Sequence, residues 1–261
     1  VSMAAGMARG GYRPYFAVYS TFLQRAYDQI VHSVCLQNLP VCILSDHVGL
    51  VGDDGKTHHG VLSVPMLMSI PNLTLLAPRD TRQIRQAVRA TLKLDGPCVV
   101  QYPKEGIEPY AQNVTGEPFA VGKWQTLIPG GQDAVILAYG RMTQNAIQAS
   151  ELLVQRGLSV GVIDCCSLKP LDMDCLRALF ERRAKIVTIE EGEMIGGFGS
   201  EIARVCVEEN ADAPVQIIGL ENRFITHGSV PELLRECGLM PEQLADRIEE
   251  IAGDKESSHV G

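Results

Sequence analysis

The sequence predicts an α/β protein of two consecutive domains, each a largely parallel sheet flanked by helices, and three observations carry that expectation. At 261 residues the chain exceeds the usual length of a single domain. Short runs that are apolar on both faces alternate with segments of helical periodicity, the pattern of parallel strands covered by helices on both sides. A proline- and glycine-punctuated stretch, Pro103 to Gly122, divides two such alternating blocks. The expected division is a first domain over residues 1–104, a linker over 105–122 and a second domain over 123–261.

In the first block, Val1 to Ala8 reads as the middle of a small-residue helix without a cap, and the expectation is that further sequence precedes it. Tyr15 to Ser20 is a short strand, Phe22 to Gln37 a helix, Pro40 to Asp46 a buried strand and Leu73 to Ala77 another. Asp80 to Leu94 is an amphipathic helix and Cys98 to Tyr102 a closing strand. The second block repeats the logic. Asp133 to Tyr139, Ser159 to Ser167, Lys185 to Glu190 and Val215 to Leu220 are its strands, and Thr143 to Gln155, Asp172 to Arg183 and a segment ending at Glu209 are the helices between them. A helical tail follows from Pro231.

Composition narrows the function. With 46% hydrophobic and 21% charged residues, the chain is an ordinary globular protein. Its formal net charge of -8 argues against a nucleic-acid partner, which needs a clustered basic surface. The local exception, Arg79, Arg82, Arg85 and Arg89, reads as the solvated face of the amphipathic helix. The longest apolar runs fall well below the ~18 residues of a membrane span. Eight cysteines without CxxC or Cys/His spacing are expected to be reduced, buried thiols in a cytoplasmic protein. The Asn113-Val114-Thr115 sequon then has no glycan to carry.

Ligands of parallel α/β sheets bind outside the carboxyl ends of the strands, and two such ends carry unusual residues. The first is Tyr19-Ser20-Thr21-Phe22-Leu23-Gln24-Arg25. There Ser20 or Thr21 can serve as an N-cap with Phe22 in the core, or the aromatic pair can stack on a planar ligand with Arg25 one turn away. The second runs from Asp46-His47 to His58-His59-Gly60 and holds three of the six histidines of the chain. Glycine and aspartate suit a surface turn, whereas concentrated histidine suits proton transfer near neutral pH. Adjacent His58 and His59 make a poor metal site without a third ligand. In the second block, Gly196 to Gly199, the Glu190-Glu191 pair and His227-Gly228 are read as packing and turn residues, with one glutamate lining the cleft and the other facing water.

Tyr-Ser-Thr-Phe-Leu-Gln-Arg-Ala-Tyr-Asp-Gln over 19–29, followed by Gly-Leu-Val-Gly-Asp-Asp-Gly-Lys-Thr-His-His-Gly over 49–60, resembles the 1-deoxy-D-xylulose-5-phosphate synthase family of transketolase-like enzymes. Ile70-Pro71, Ala77-Pro78-Arg79-Asp80, Asp95-Gly96-Pro97, Tyr102-Pro103, Leu168-Lys169-Pro170-Leu171-Asp172 and Glu190-Glu191-Gly192 continue the resemblance along essentially the whole chain. It implies a transketolase pyrimidine-binding domain, truncated at its start, followed by a transketolase C-terminal domain. The implied activity is that of a thiamine-diphosphate-dependent transferase condensing pyruvate with D-glyceraldehyde 3-phosphate, with loss of carbon dioxide, toward isoprenoids, thiamine and pyridoxal. Phe22 is implied to stack on the cofactor's aminopyrimidine, with Tyr19 and Arg25 in the same pocket. His58 and Asp54 are implied to manage protons and orient substrate, and a homodimer is implied as the assembly.

Three departures qualify the resemblance. The Glu-Gln-His signature, whose glutamate activates the cofactor, belongs just upstream of Val1. The preceding domain, which in the family holds the diphosphate and Mg2+, has no counterpart among these residues, so the chain is expected to need an N-terminal domain or chain for activity. His47 and Lys104 stand where the family has phosphate-binding arginines, and Gln101 stands where arginine is usual. Arginine grips phosphate bidentately and lysine does not, so a weaker grip on the acceptor or a different aldehyde acceptor is expected. A non-catalytic assembly subunit is the remaining expectation.

Overall fold

A computed structural model describes residues 1–105 and 119–253. Helix α1 (Ser2–Arg9) precedes strand β1 (Tyr15–Tyr19). The chain then turns at once into α2 (Ser20–Leu23), a 3-10 turn (Gln24–Ala26), α3 (Tyr27–Gln29) and a π-helical segment (Ile30–Cys35). The single helix expected over 22–37 is thus a chain of short helical types whose pitch changes. That succession lets Leu23, Ile30, Val34 and Cys35 all reach the core. Strand β2 (Cys42–Asp46) leads through a 3-10 turn (Gly52–Thr57) to α4 (Ser63–Met68), which the sequence pattern does not announce. Strand β3 (Thr74–Leu76), helix α5 (Thr81–Thr91) and strand β4 (Cys98–Gln101) follow. Asp80 caps α5 by accepting from the Gln83 amide at 2.7 Å.

The second domain comprises β5 (Gln125–Ile128), β6 (Ala134–Ala138), α6 (Met142–Gln155), β7 (Val160–Asp164), β8 (Ser167–Lys169), α7 (Met173–Glu181), β9 (Ile186–Glu193), α8 (Phe198–Glu208) and β10 (Val215–Leu220). The tail is two helices, α9 (Val230–Glu236) and α10 (Pro241–Gly253). A capping box starts α9, with Ser229 and Glu232 satisfying each other's free groups. Of the expected linker, residues 106–118 lie outside the described residues.

The first sheet has the order β1-β2-β4-β3-β8 and the second β10-β9-β6-β7-β5. Each is parallel except at one edge: β8 pairs antiparallel with β3, and β5 antiparallel with β7. Strand β8 belongs to the second domain by sequence and to the first sheet by pairing. The apolar run 159–167 therefore holds two elements, because it changes sheets at Cys165-Cys166. The hydrophobic core is equally shared, since one cluster joins Ile30, Val34 and Leu67 of the first domain to Leu137, Leu176 and Phe198 of the second.

Polar ties reinforce the junction. Asp164, fully buried at the end of β7, pairs with Arg79 and accepts from Gln83 Nε2 at 2.6 Å. Arg79 is accordingly no part of the solvated basic face; Arg82, Arg85 and Arg89 are. All eight cysteines are free, six of them buried. No helix among the described residues is long and apolar enough to cross a membrane.

Candidate functional site

The parallel strands β1, β2 and β4 end side by side, and their carboxyl ends present the residues singled out in the sequence. Tyr19, the last residue of β1, lies between two rings. The His47 ring stacks on it at 3.7 Å between centroids and 20°, and the Phe22 ring at 5.2 Å and 12°. His58 meets the edge of Phe22 at 5.7 Å, and the Arg25 guanidinium lies 6.0 Å from the Phe22 centroid. Phe22 is 44% exposed. It is not the core residue that a bare helix-start reading allows, and its open face suits a planar ligand.

Why the chain turns so tightly here is clear from contacts. Ser20 Oγ donates to the His47 carbonyl at 2.8 Å. A Cβ on Gly60 would stand 2.2 Å from both that carbonyl and Ser20 Oγ, so the crossing of the turn and the loop requires glycine. His47 itself has φ 56. Its Nδ1 faces Asp46 Oδ1 at 3.2 Å and its ring is buried, with residue exposure of 8%.

Asp54 and Lys104 form an ion pair at 2.6 Å between the loop and the residue chain beyond β4. The Lys104 hydrogen bond holds the Asp54 carboxyl below its ordinary range, with smaller contributions from His58 and His47. The same bond raises the Lys104 ammonium. Thr57 Oγ1 engages His58 Nδ1 at 3.0 Å, which leaves Nε2 as the nitrogen able to exchange a proton with a ligand. His59 points the other way. It accepts from the Val51 amide through Nδ1 at 3.1 Å, so Nε2 carries the proton that reaches the Thr226 carbonyl at 2.9 Å.

The structure thus gathers Tyr19, Phe22, Arg25, His47 and His58 into one ring-lined wall, with the Asp54–Lys104 pair beside it. Gln101, buried below, accepts from Ser63 Oγ at 3.1 Å. Among the described residues no group of three or more His, Cys, Asp or Glu side chains converges as a metal site. A half-open space of about 20 Å³ behind the loop, lined by Gly49, Gln101, Tyr139, Arg141 and Glu191, is too small for a substrate.

The second domain supplies residues that sequence reasoning set aside. Glu190 and Glu191 are both buried, so neither faces water. Glu190 accepts from the Phe198 and Gly199 amides at 3.0 and 2.9 Å at the start of α8, so this helix N-terminus is filled by the protein's own carboxyl group. Burial nonetheless pushes Glu190 up to about 7. Glu191 accepts from the Leu50 amide at 2.9 Å and from Arg141 at 3.2 Å; burial raises its pKa, and Arg141 partly offsets the rise. His227 and Gly228 pack against Gly55 and Gly52 of the loop. Three consecutive strand-end residues of the form Glu-Glu-Gly were the available signal, and Arg141, just beyond the end of β6, was a second.

Comparison with known proteins agrees with this architecture. The transketolase pyrimidine binding domain family matches residues 1–108 and the transketolase C-terminal domain family matches residues 122–244. The 1-deoxy-D-xylulose-5-phosphate synthase of Geobacillus thermodenitrificans is 42% identical over 257 residues, covering 98% of this chain and 41% of that protein. The synthase of Rippkaea orientalis is 39% identical over 253 residues, covering 96% and 40%. The chain therefore spans about 40% of the length of these relatives. Among solved structures, a split-gene transketolase described as an inactive beta4 tetramer superposes with a TM-score of 0.85 at 29% identity, covering 95% of this chain and 79% of that one. The transketolase of Campylobacter jejuni shares the fold, with a TM-score of 0.78 at 17% identity. The chain belongs to the transketolase family, in which it comprises a pyrimidine-binding and a C-terminal domain and matches the C-terminal portion of 1-deoxy-D-xylulose-5-phosphate synthases.

Proposed function

We propose that this chain forms one wall of the active site of a thiamine-diphosphate-dependent transferase of the 1-deoxy-D-xylulose-5-phosphate synthase type, condensing pyruvate with D-glyceraldehyde 3-phosphate. The observation that carries the reading is the exposed Phe22 ring, backed by Tyr19 and flanked by Arg25 and His58. That surface fits the aminopyrimidine of the cofactor. The cofactor, when bound, supplies the stabilised carbanion, and the chain's residues orient it and handle charge and protons. His58 holds or releases a proton at Nε2, and Asp54 sets the charge beside it.

The Mg2+ and diphosphate ligands are assigned to an N-terminal domain or partner chain, and the chain alone is inactive. Its coverage of about 40% of the synthases and its likeness to an inactive split-gene structure support this division. The assembled enzyme is taken as a cytoplasmic homodimer.

Calorimetry on the isolated chain should find no tight, Mg2+-dependent binding of thiamine diphosphate. Addition of an N-terminal domain carrying the Glu-Gln-His segment should restore carbon dioxide release from pyruvate. Tight binding by the chain alone would refute its incompleteness. Failure of the complemented enzyme to turn over pyruvate would leave a non-catalytic assembly subunit in place of an enzyme. One observation favours a second acceptor: Lys104 is already paired with Asp54, and His47 is turned toward Asp46 beneath Tyr19. Neither offers an arginine fork to a phosphate. Assay with phosphorylated and unphosphorylated aldehydes separates the two readings, and a strong preference for glyceraldehyde 3-phosphate removes the second.

A further inference from the structure

The loop carrying Asp54 and His58 is held from the other domain. Residues Asp53, Asp54, Lys56 and Thr57 are exposed, whereas Leu50, Val51, His59 and Gly60 on either side are buried. Leu50 is fully buried, and its side chain belongs to the second domain's core cluster with Ile136, Ile225 and Val230. Its amide donates to Glu191 Oε1 at 2.9 Å. A Cβ at Gly49 would stand 2.6 Å from the Glu191 carboxyl carbon, so backbone and carboxylate are in close contact. On the far side of the turn, His59 ties the Val51 amide to the Thr226 carbonyl of the second domain at 3.1 and 2.9 Å.

Between these anchors, Gly55 rests on His227, whose Cβ would lie 3.3 Å from a Cβ placed there. Gly55 has φ 70, a conformation that few side chains tolerate. The exposed turn therefore has one seat, fixed on both sides by contacts with the second domain. Glu191 is itself oriented by Arg141 at 3.2 Å.

We propose that Glu191 and His59 are positioning residues, through which the second domain fixes the loop so that Asp54 and His58 face the cleft. The second domain then takes part in the site and is more than a packing and assembly unit. The proposal rests on the reading of that loop as the proton-handling element, and two separate readouts keep the two apart.

The first readout is amide hydrogen exchange in the full chain, at Leu50 and Val51 relative to Val135 and Ile136 of β6. Glu191→Ala should speed exchange at Leu50 by about tenfold or more, the loss expected for one hydrogen bond to a charged acceptor. Glu191→Gln keeps an acceptor oxygen and should stay within about threefold of wild type. His59→Ala should do the same at Val51, with His59→Gln restoring it, and tests the opposite anchor should Glu191→Ala not fold. The second readout is turnover after complementation with the N-terminal domain. The alanine variants should lower kcat about tenfold with KM for pyruvate nearly unchanged, and the Gln variants should recover it.

Unchanged exchange at Leu50 and Val51 in folded alanine variants would overturn the proposal, and so would faster exchange with wild-type kcat. If His58→Ala and Asp54→Ala leave kcat intact, the proton-handling reading falls, while the exchange result still decides whether the anchors fix the loop.

Discussion

Replacing Glu190 with glutamine should abolish a defined part of the pH dependence of stability. Glu190 is wholly buried under Tyr139 and at the start of α8. Two backbone amides and the Tyr139 hydroxyl favour its ionised form, yet burial outweighs them, with Glu193 adding to the rise, and its pKa moves from 4.5 to about 7. The folded chain thus keeps a proton on Glu190 over a range where the unfolded chain has released it. Stability from this group is full below about pH 4.5 and is lost as pH rises through about 7. The displacement corresponds to about 3 kcal/mol, of which about 2 kcal/mol falls between pH 5.5 and pH 8. Glutamine stays neutral throughout and keeps one oxygen for one of the two amides, of Phe198 or Gly199, that Glu190 accepts from. Trp124, the one tryptophan of the sequence, lies edge-on to Phe198 at 6.0 Å and reports unfolding of this region. Urea titrations followed by its fluorescence should show wild type losing about 2 kcal/mol relative to Glu190→Gln between those two pH values. Parallel pH profiles for the two proteins would refute the assignment of a buried, protonated Glu190.

Three further outcomes follow from the geometry. Arg79→Ala strands the fully buried Asp164 without its cation and should cost about 3–5 kcal/mol in urea unfolding; Asp164→Asn in the same background should recover part of the loss. Phe22→Ala removes a ring that is 44% exposed, so the melting temperature should change little. Thiamine diphosphate affinity of the complemented enzyme should fall about tenfold, measured by titration calorimetry. Lys104→Arg gives the site a planar fork beside Asp54 and should lower KM for a phosphorylated aldehyde without lowering it for an unphosphorylated one, in steady-state assays of the complemented enzyme.

The sequence carried the sheets well and the helix between β1 and β2 poorly, for physical reasons. Runs such as Cys42–Asp46 and Ala134–Ala138 are apolar on both faces, which in an alternating chain marks buried parallel strands. Periodicity registers that residues are apolar and not which sheet they join, so the passage of Ser167–Lys169 into the first sheet was invisible. The same blindness hid the change of pitch over Ser20–Cys35, where only the first and last segments bury side chains and the 3-10 turn and α3 between them bury none. In the site, Tyr19, Phe22 and Arg25 lie within seven residues of chain, and spacing alone could suggest a ligand surface. The contacts that fix the loop join residues 141 and 167 positions apart. Glu191 looked like one of several strand-end glutamates because nothing local to it names Leu50.

The division between what is fixed and what is open bears on how such a chain could serve half an active site. Its loop is completed within the chain: Leu50 is buried in one domain's core while its backbone belongs to the other, and Gly49, Gly52 and Gly55 admit close packing that side chains would block. The stacking surface is incomplete, since Phe22 stacks on Tyr19 and is still 44% exposed. On the proposed reading, a wall whose loop is already seated needs only a partner that brings the cofactor against the exposed Phe22 ring. Less ordering then remains to be done at assembly, and a preorganised surface binds with a smaller entropic cost than a mobile one. The interdomain anchors thereby become part of the catalytic argument, because without them the partner would have to order the loop as well as dock on it.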